Sequence, residues 1–216
     1  MSNLITLLKR KIISSSLFWK LRTYLQPSWI DSYNKKSIPK LFFDIVSENN
    51  ISSILDFGCA TGELLYKLNQ KNPNQISYGI DINKDAIETC NIKFKEFNKQ
   101  TAKFCFDNEF NIDNLEVFLE KNNLTHFDLI IFDRVLYCLS DNDLNNLLDP
   151  LLNYTKTVLI DDFQITTDLE IYGYRHRDWK SLLKKHNFKN IKNIPTIYSK
   201  VKLANARTLF FKREDF

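Results

Sequence analysis

The chain has 216 residues, of which 44% are apolar and 26% charged, with a formal net charge of +4. That length and apolar content predict a globular core in one α/β domain with a modest extension. The charge is too mild to indicate nucleic acid by itself, and no apolar run reaches the roughly 18 residues of a membrane span. Four cysteines, Cys59, Cys90, Cys105 and Cys138, form no CxxC pair. This argues against a zinc or disulfide framework, and predicts free thiols in a reducing, cytoplasmic setting with no metal.

Residues 1–30 carry Lys9, Arg10, Lys11, Lys20 and Arg22 and no acid. Apolar spacing at Leu4, Leu7, Leu8 and Ile12, then at Leu17, Trp19, Leu21 and Tyr24, predicts two helices broken near Ser14–Ser16. Positive charge interrupts the apolar stretch and no A-x-A site follows, which argues against a signal peptide. Residues 1–50 therefore read as a helical cap on the domain, and the basic segment also suits an anionic membrane surface. A further helix over 38–49 leads into the first strand, Ser53 to Phe57.

That strand ends in Asp56, and a small-residue turn, Gly58-Cys59-Ala60-Thr61-Gly62, precedes a helix over 63–69. Only four glycines exist in the chain, and two of them stand in this turn. Such placement predicts positive φ or close approach of the backbone to a ligand, with the amides at the start of the helix turned toward it. A dinucleotide fingerprint would require glycine at Ala60 and Glu63, and a Walker A loop would require lysine after Gly62, where Glu63 stands. What remains is D-x-G-C-A-x-G after a strand.

The second strand, Gln75 to Ile80, ends at Asp81, about 20 residues after the glycine turn. An acid at that distance accepts the two hydroxyls of a ribose. A helix over 83–98 follows, then a third strand, Ala102 to Phe106, with Asp107-Asn108 after it, and a helix over 112–121. Leu129 to Phe132 is apolar without alternation, as a strand buried on both faces should be. Asp133 and Arg134 close it. A helix over 141–154 leads to a strand over 157–160 that ends in Asp161-Asp162. Beyond lies a polar and aromatic stretch, Gln164 to Asp178, containing Arg175, His176 and Arg177. A short helix over 179–185 and two strand-like runs, 191–201 and 206–212, complete the chain.

The glycine turn resembles motif I of the class I S-adenosylmethionine (SAM) dependent methyltransferases. Phe127-Asp128-Leu129-Ile130…Val135-Leu136-Tyr137-Cys138-Leu139 resembles the strand 4 motif of the same family, with cysteine at Cys138 where many members carry histidine. The resemblance covers about Ile51 to Lys212. It implies a three-layer, Rossmann-like, seven-stranded, mostly parallel sheet ending in an antiparallel hairpin, preceded by the helical cap. It implies SAM as cofactor, held by Asp56, Gly58, Cys59, Ala60, Gly62, Asp81, Ile82, Asp107, Asn108 and Asp133, with Asp107 accepting from the adenine amine. Trp29, Tyr33 and Asn34-Lys35-Lys36 are lid candidates on the same grounds.

Methyl transfer from a sulfonium needs alignment of donor and acceptor and, for a hydroxyl acceptor, removal of a proton. A base should stand where strands four and five end, so the candidates are Asp133, Asp161, Asp162 and His176. Histidine has the best ordinary pKa for the task. The Arg175 and Arg177 pair could hold an anionic or sugar-like acceptor. A small-molecule or glycan-type acceptor, methylated on oxygen, is the expectation. RNA or protein as acceptor is disfavoured, because Asp133-Arg134-Val135-Leu136 replaces an amine-targeting motif, and no nucleic acid partner is expected. A non-catalytic scaffold built on this fold is the remaining alternative.

Overall fold

The computed structural model describes residues 8–9, 11–12, 15–25, 40–96, 102–106, 112, 115–164, 175–195 and 206–215. Among these, seven strands form one sheet: β1 (Ser53–Phe57), β2 (Ile76–Asp81), β3 (Ala102–Phe106), β4 (Phe127–Asp133), β5 (Thr155–Phe163), β6 (Phe188–Pro195) and β7 (Ala206–Arg213). Their order is β3-β2-β1-β4-β5-β7-β6. The pairs from β3 through β5 are parallel, and β7 runs antiparallel to both β5 and β6. The chain direction across the sheet reverses between β1 and β4, which opens a crevice at their carboxyl ends.

Alternate residues of the inner strands face opposite sides of the sheet, and both sides are covered. Leu55, Ile130, Phe132, Val158, Ile160, Leu209 and Phe211 join one core. That core is closed by α5 (Leu115–Lys121), α6 (Asp141–Asn153) and α7 (Trp179–Lys184). Ile54, Leu129, Ile131, Leu159 and Phe210 join the other, closed by α2 (Lys40–Glu48) and α3 (Glu63–Lys71). The unbroken apolar run Leu129 to Phe132 follows from this two-sided burial.

At the amino edge of the sheet a buried acid ties two strands together. One Asp128 oxygen accepts from the Ser52 and Ser53 amides at 3.0 and 3.1 Å and from the Ser52 hydroxyl at 2.6 Å. The other accepts from Lys156 Nζ at 3.0 Å. The amide of Asp128 in turn donates to Ser53 Oγ at 2.9 Å.

Several boundaries differ from the sequence expectation. β5 runs from Thr155 to Phe163, so Asp161 and Asp162 lie inside it and not beyond its end. The cause is β7, whose pairing continues through Asp161–Thr208, Asp162–Arg207 and Phe163–Ala206. The helix after β2, α4 (Lys84–Lys93), stops short of residue 98 and gives way to a 3-10 turn, Phe94–Glu96. β6 starts at Phe188, three residues early, because that side chain enters the core. α5 starts at Leu115 and not at residue 112.

Near the amino terminus, α1 (Ser16–Leu25) begins where the serine break was expected. Ser15 Oγ accepts from the Phe18 amide at 3.2 Å and caps it. Phe18 and Trp19 of α1 pack against Tyr137, Cys138, Phe163 and Ala206. Phe42, Ile45 and Val46 of α2 are core residues. No helix among the described residues is long and apolar enough to cross a membrane.

Candidate active site

The turn after β1 is built by alternation of backbone handedness. Gly58, Ala60 and Gly62 take φ of 83°, 49° and 70°, with Cys59 and Thr61 between them outside the positive range. The curl this produces is tied to β2. The Gly58 and Cys59 amides both donate to the Ile80 carbonyl, at 2.8 and 3.0 Å. The Ala60 amide donates to Asp81 Oδ2 at 2.8 Å, and Asp81 Oδ1 accepts from the Asn83 amide at 2.7 Å. Asn83 then caps α4 by accepting from the Asp85 amide. One carboxylate thus fixes both the glycine turn and the start of the next helix.

The far side of the turn is held by an ion pair. Lys93 Nζ donates to the Thr61 carbonyl at 3.2 Å and to Glu63 Oε2 at 2.7 Å. Below it, Cys59 and Cys90 are buried free thiols. Burial pushes the Cys59 thiol well up, and Cys90, Asp56 and Asp81 beside it add to the effect.

Gly58 also meets the loop after β4. A Cβ at Gly58 would lie 2.7 Å from Val135 Cγ2 and 2.9 Å from Val135 Cβ. Val135 is delivered there by Arg134, which itself takes φ of 58°. The Arg134 amide donates to the Asp161 carbonyl at 2.9 Å, and its Nε donates to Asp161 Oδ1 at 2.5 Å. Thr208 donates to the other Asp161 oxygen. Fully buried and bonded on both oxygens, Asp161 anchors Arg134; it is not placed as a proton acceptor for a substrate. Asp133 and Arg134 are likewise largely buried.

Three carboxyl groups therefore gather where β1, β2 and β4 end. Burial raises the Asp56 pKa well above its ordinary value, and the charges of Asp133 and then Asp81 raise it further. Among the described residues no group of three acid, histidine or cysteine side chains is placed to hold a metal ion. With Asp56 shifted toward its neutral form, Asp133 and Asp81 supply the negative charge, which suits a ligand with positive charge better than a phosphate. It fits a sulfonium cofactor.

On the β5 side, the His176 ring stacks on Phe163 at 5.4 Å, nearly parallel at 12°. Tyr137 meets Phe163 edge-on at 5.4 Å, and the Arg134 guanidinium lies 5.2 Å from the Phe163 ring centre. Phe163, the last residue of β5, thus collects an imidazole, a phenol and a cation around one ring. Asp162 lies beneath, accepting from the Tyr137 and Phe163 amides at 3.1 and 2.8 Å. Burial pushes its carboxyl up to about 7, against those amides and Arg134, which pull it down.

Arg177 is not part of this arrangement. It is buried, and its guanidinium donates to the Leu136 and Leu139 carbonyls at 2.8 and 2.7 Å and to Asp141 at 2.8 and 3.1 Å. Arg175 Nη1 donates to the Cys138 carbonyl at 2.9 Å. The expected anion-binding fork is a clamp on the loop after β4. Ile82 is an exposed apolar residue beside Asp81. Asp107, Asn108 and the lid candidates Trp29, Tyr33, Asn34, Lys35 and Lys36 lie outside the described residues.

This strand order, with the glycine turn at the switch between β1 and β4, is the fold of class I SAM-dependent methyltransferases. The chain belongs to the methyltransferase-domain family, whose description matches residues 48–203, and family and fold together imply SAM as the cofactor. A SAM-dependent methyltransferase from Clostridium acetobutylicum ATCC 824 superposes with a TM-score of 0.61 at 15% identity, over 90% of this chain and 98% of that one. The mitomycin 7-O-methyltransferase MmcR superposes with a TM-score of 0.56 at 13% identity, over 91% of this chain and 60% of that one. A tRNA (guanine-N(7)-)-methyltransferase of Prochlorococcus marinus subsp. pastoris is 32% identical over 111 residues, 51% of this chain and 50% of that one. The chain spans about half the length of the curated relatives it matches.

Proposed function

We propose that this chain transfers the methyl group of SAM to an oxygen of a small-molecule or saccharide acceptor. One observation carries the reading. The turn of alternating handedness at Gly58–Gly62 is bonded to Asp81 and faces a trio of carboxyl groups, where a cationic nucleoside would be favoured and a phosphate would not. When bound, the cofactor supplies a methyl already activated by its positive sulfur. The protein's work is then to align two partners and accept a proton.

In this reading Asp81 accepts the ribose hydroxyls while its bonds to the Ala60 and Asn83 amides keep it oriented. Exposed Ile82 offers an apolar face to the adenine. Gly58, Cys59, Ala60 and Gly62 form the wall beneath the amino-acid tail, Asp133 faces its positive charge, and Asp56 lies beside Asp133 as a hydrogen-bonding carboxyl. The adenine roles of Asp107 and Asn108 stand on the family resemblance. Replacing Asp81 with alanine should weaken SAM binding by about 1–3 kcal/mol, since a charge-assisted partner is lost. Calorimetry reads this directly, and unchanged affinity would remove the ribose role.

His176 is the proposed base. Its ring is held flat on Phe163 at the end of β5, the strand whose carboxyl end is where a base is expected. His176→Ala should lower turnover by roughly 10²–10⁴-fold with SAM affinity unchanged. Turnover at the wild-type rate would take His176 off the list and leave Asp133 and Asp162 there.

A second reading has one observation in its favour, the 32% identity over half the chain to a tRNA methyltransferase. Incubation with methyl-labelled SAM, first with tRNA and then with a small-metabolite extract, separates the two. Label in tRNA alone would replace the small-molecule acceptor. Label in neither, with SAM still bound, would favour a non-catalytic scaffold.

A further inference from the structure

The outer face of α1 has no cover from the described residues. Leu17, Leu21, Tyr24 and Leu25 are 64%, 49%, 82% and 71% exposed. Their spacing, i, i+4, i+7 and i+8, puts them in one stripe along the helix. The opposite face carries Phe18 and Trp19, which pack on Tyr137 and Phe163, with the Arg22 guanidinium 5.3 Å from the Trp19 ring. Lys20 reaches sideways to Asp85 on α4 at 3.3 Å. The helix is thus fastened by its inner face and its flank, and the leucine stripe is left facing outward. Preceding it, Leu8 and Ile12 are exposed apolar residues spaced i, i+4, interleaved with exposed Lys9 and Lys11.

We infer that this stripe docks the protein on an anionic lipid surface, with Leu17, Leu21 and Leu25 entering the headgroup–acyl boundary and Lys9 and Lys11 meeting lipid phosphates. Charge decides among the occupants. Lys20 is paired with Asp85 and Arg22 lies on the inner face, but exposed Lys9 and Lys11 precede α1 in a stretch that has no acid, so a second copy of the same face would meet like charge across a two-fold contact. RNA is recognised through phosphates and through bases stacked on aromatic or arginine planes, and leucine offers neither. An anionic bilayer satisfies both halves, since it is apolar beneath and negative at its surface. Tyr24, amphipathic and the most exposed of the four, suits the boundary between them. The inference does not depend on the acceptor or on catalysis.

The test is co-sedimentation of the full chain with large vesicles of phosphatidylcholine, with and without roughly 30% phosphatidylglycerol, at ~0.1 M salt. The expected result is binding to the anionic vesicles at least tenfold stronger than to neutral ones. A Leu17→Asp/Leu21→Asp variant should lose at least tenfold of that binding, and Lys9→Glu/Lys11→Glu should lose the preference for anionic lipid. Both variants should keep the wild-type thermal shift with SAM, which shows them folded. Absence of vesicle binding overturns the inference, as does equal binding by the leucine variant. A dimer in sedimentation velocity that Leu17→Asp dissolves would assign the stripe to a second copy instead. Retention on tRNA that the lysine variant loses and the leucine variant keeps, without vesicle binding, would assign the segment to nucleic acid.

Discussion

A Gly58→Val variant is expected to fold and to show no SAM binding, a loss of at least about 100-fold or 3 kcal/mol. Two separate costs act at this position. Its φ of 83° lies in the left-handed region, which costs an L residue about 1–2 kcal/mol and a β-branched one more. A Cβ there would also stand 2.7 Å from Val135 Cγ2 and 2.9 Å from Val135 Cβ. Val135 is a short side chain on a loop pinned by Arg134 and Asp161, so it cannot swing aside as a lysine could. The turn must therefore move, and with it the Ala60 amide that orients Asp81. The two costs can be separated. Gly58→Ala alone keeps both costs, whereas Gly58→Ala combined with Val135→Gly removes the clash with Val135 Cβ and Cγ2, keeps the φ strain, and should recover part of the affinity. Calorimetry on Gly58→Val, Gly58→Ala and the double variant reads the result. Normal SAM binding by Gly58→Val would mean that the turn is not the cofactor wall.

The second large effect concerns stability. Asp128→Ala should destabilise the protein by about 3 kcal/mol, seen as a fall in Tm of roughly 6–12 °C. The substitution leaves the Ser52 and Ser53 amides and the Lys156 ammonium without the acceptor that joined β1, β4 and β5. Because Asp128 lies at the amino edge of the sheet, SAM affinity at 25 °C should be unchanged. The pH dependence has a definite sign. Burial alone would raise this carboxyl, but hydrogen bonds from the Ser52 hydroxyl and amide and the bond and charge of Lys156 hold it well below its ordinary 3.8. A group depressed in the folded state contributes fully above its unfolded value and loses that contribution as the pH falls through about 4 and below. Denaturant melts at pH 7 and pH 3 should therefore show the wild type losing its advantage over Asp128→Ala in acid. An equal gap at both values would contradict the assigned pairing.

The strands were legible because several announce themselves locally, while their arrangement in one seven-stranded, mostly parallel sheet was an implication of the family resemblance. Leu129–Phe132 has the unbroken apolar composition that burial on both faces dictates, and two of the chain's four glycines mark the turn after β1. Asp81 was legible through its distance from the turn. Ala60 was not, since alanine gives no sign of positive φ; its conformation is imposed by the bond from its amide to Asp81. Arg177 was misread for a related reason. An arginine among aromatics looks ready for an anion, and only the folded chain brings the Leu136 and Leu139 carbonyls and Asp141 to it across some 36–41 positions. The length of β5 was underread because two adjacent aspartates suggest a strand end. Arg134 and Thr208 neutralise one of them inside the sheet, and two backbone amides hold the other. Asp128 is the same case at the opposite edge.

The crowding of Asp56, Asp81 and Asp133 has a consequence for the reaction cycle in the proposed role. These carboxyl groups would hold a sulfonium donor more strongly than the neutral thioether that remains once its methyl is transferred, because the thioether carries one positive charge fewer. The attraction that drew the donor in is largest before transfer and weakest after it. Exchange of used for fresh cofactor would thereby be favoured by the electrostatics of these carboxyl groups.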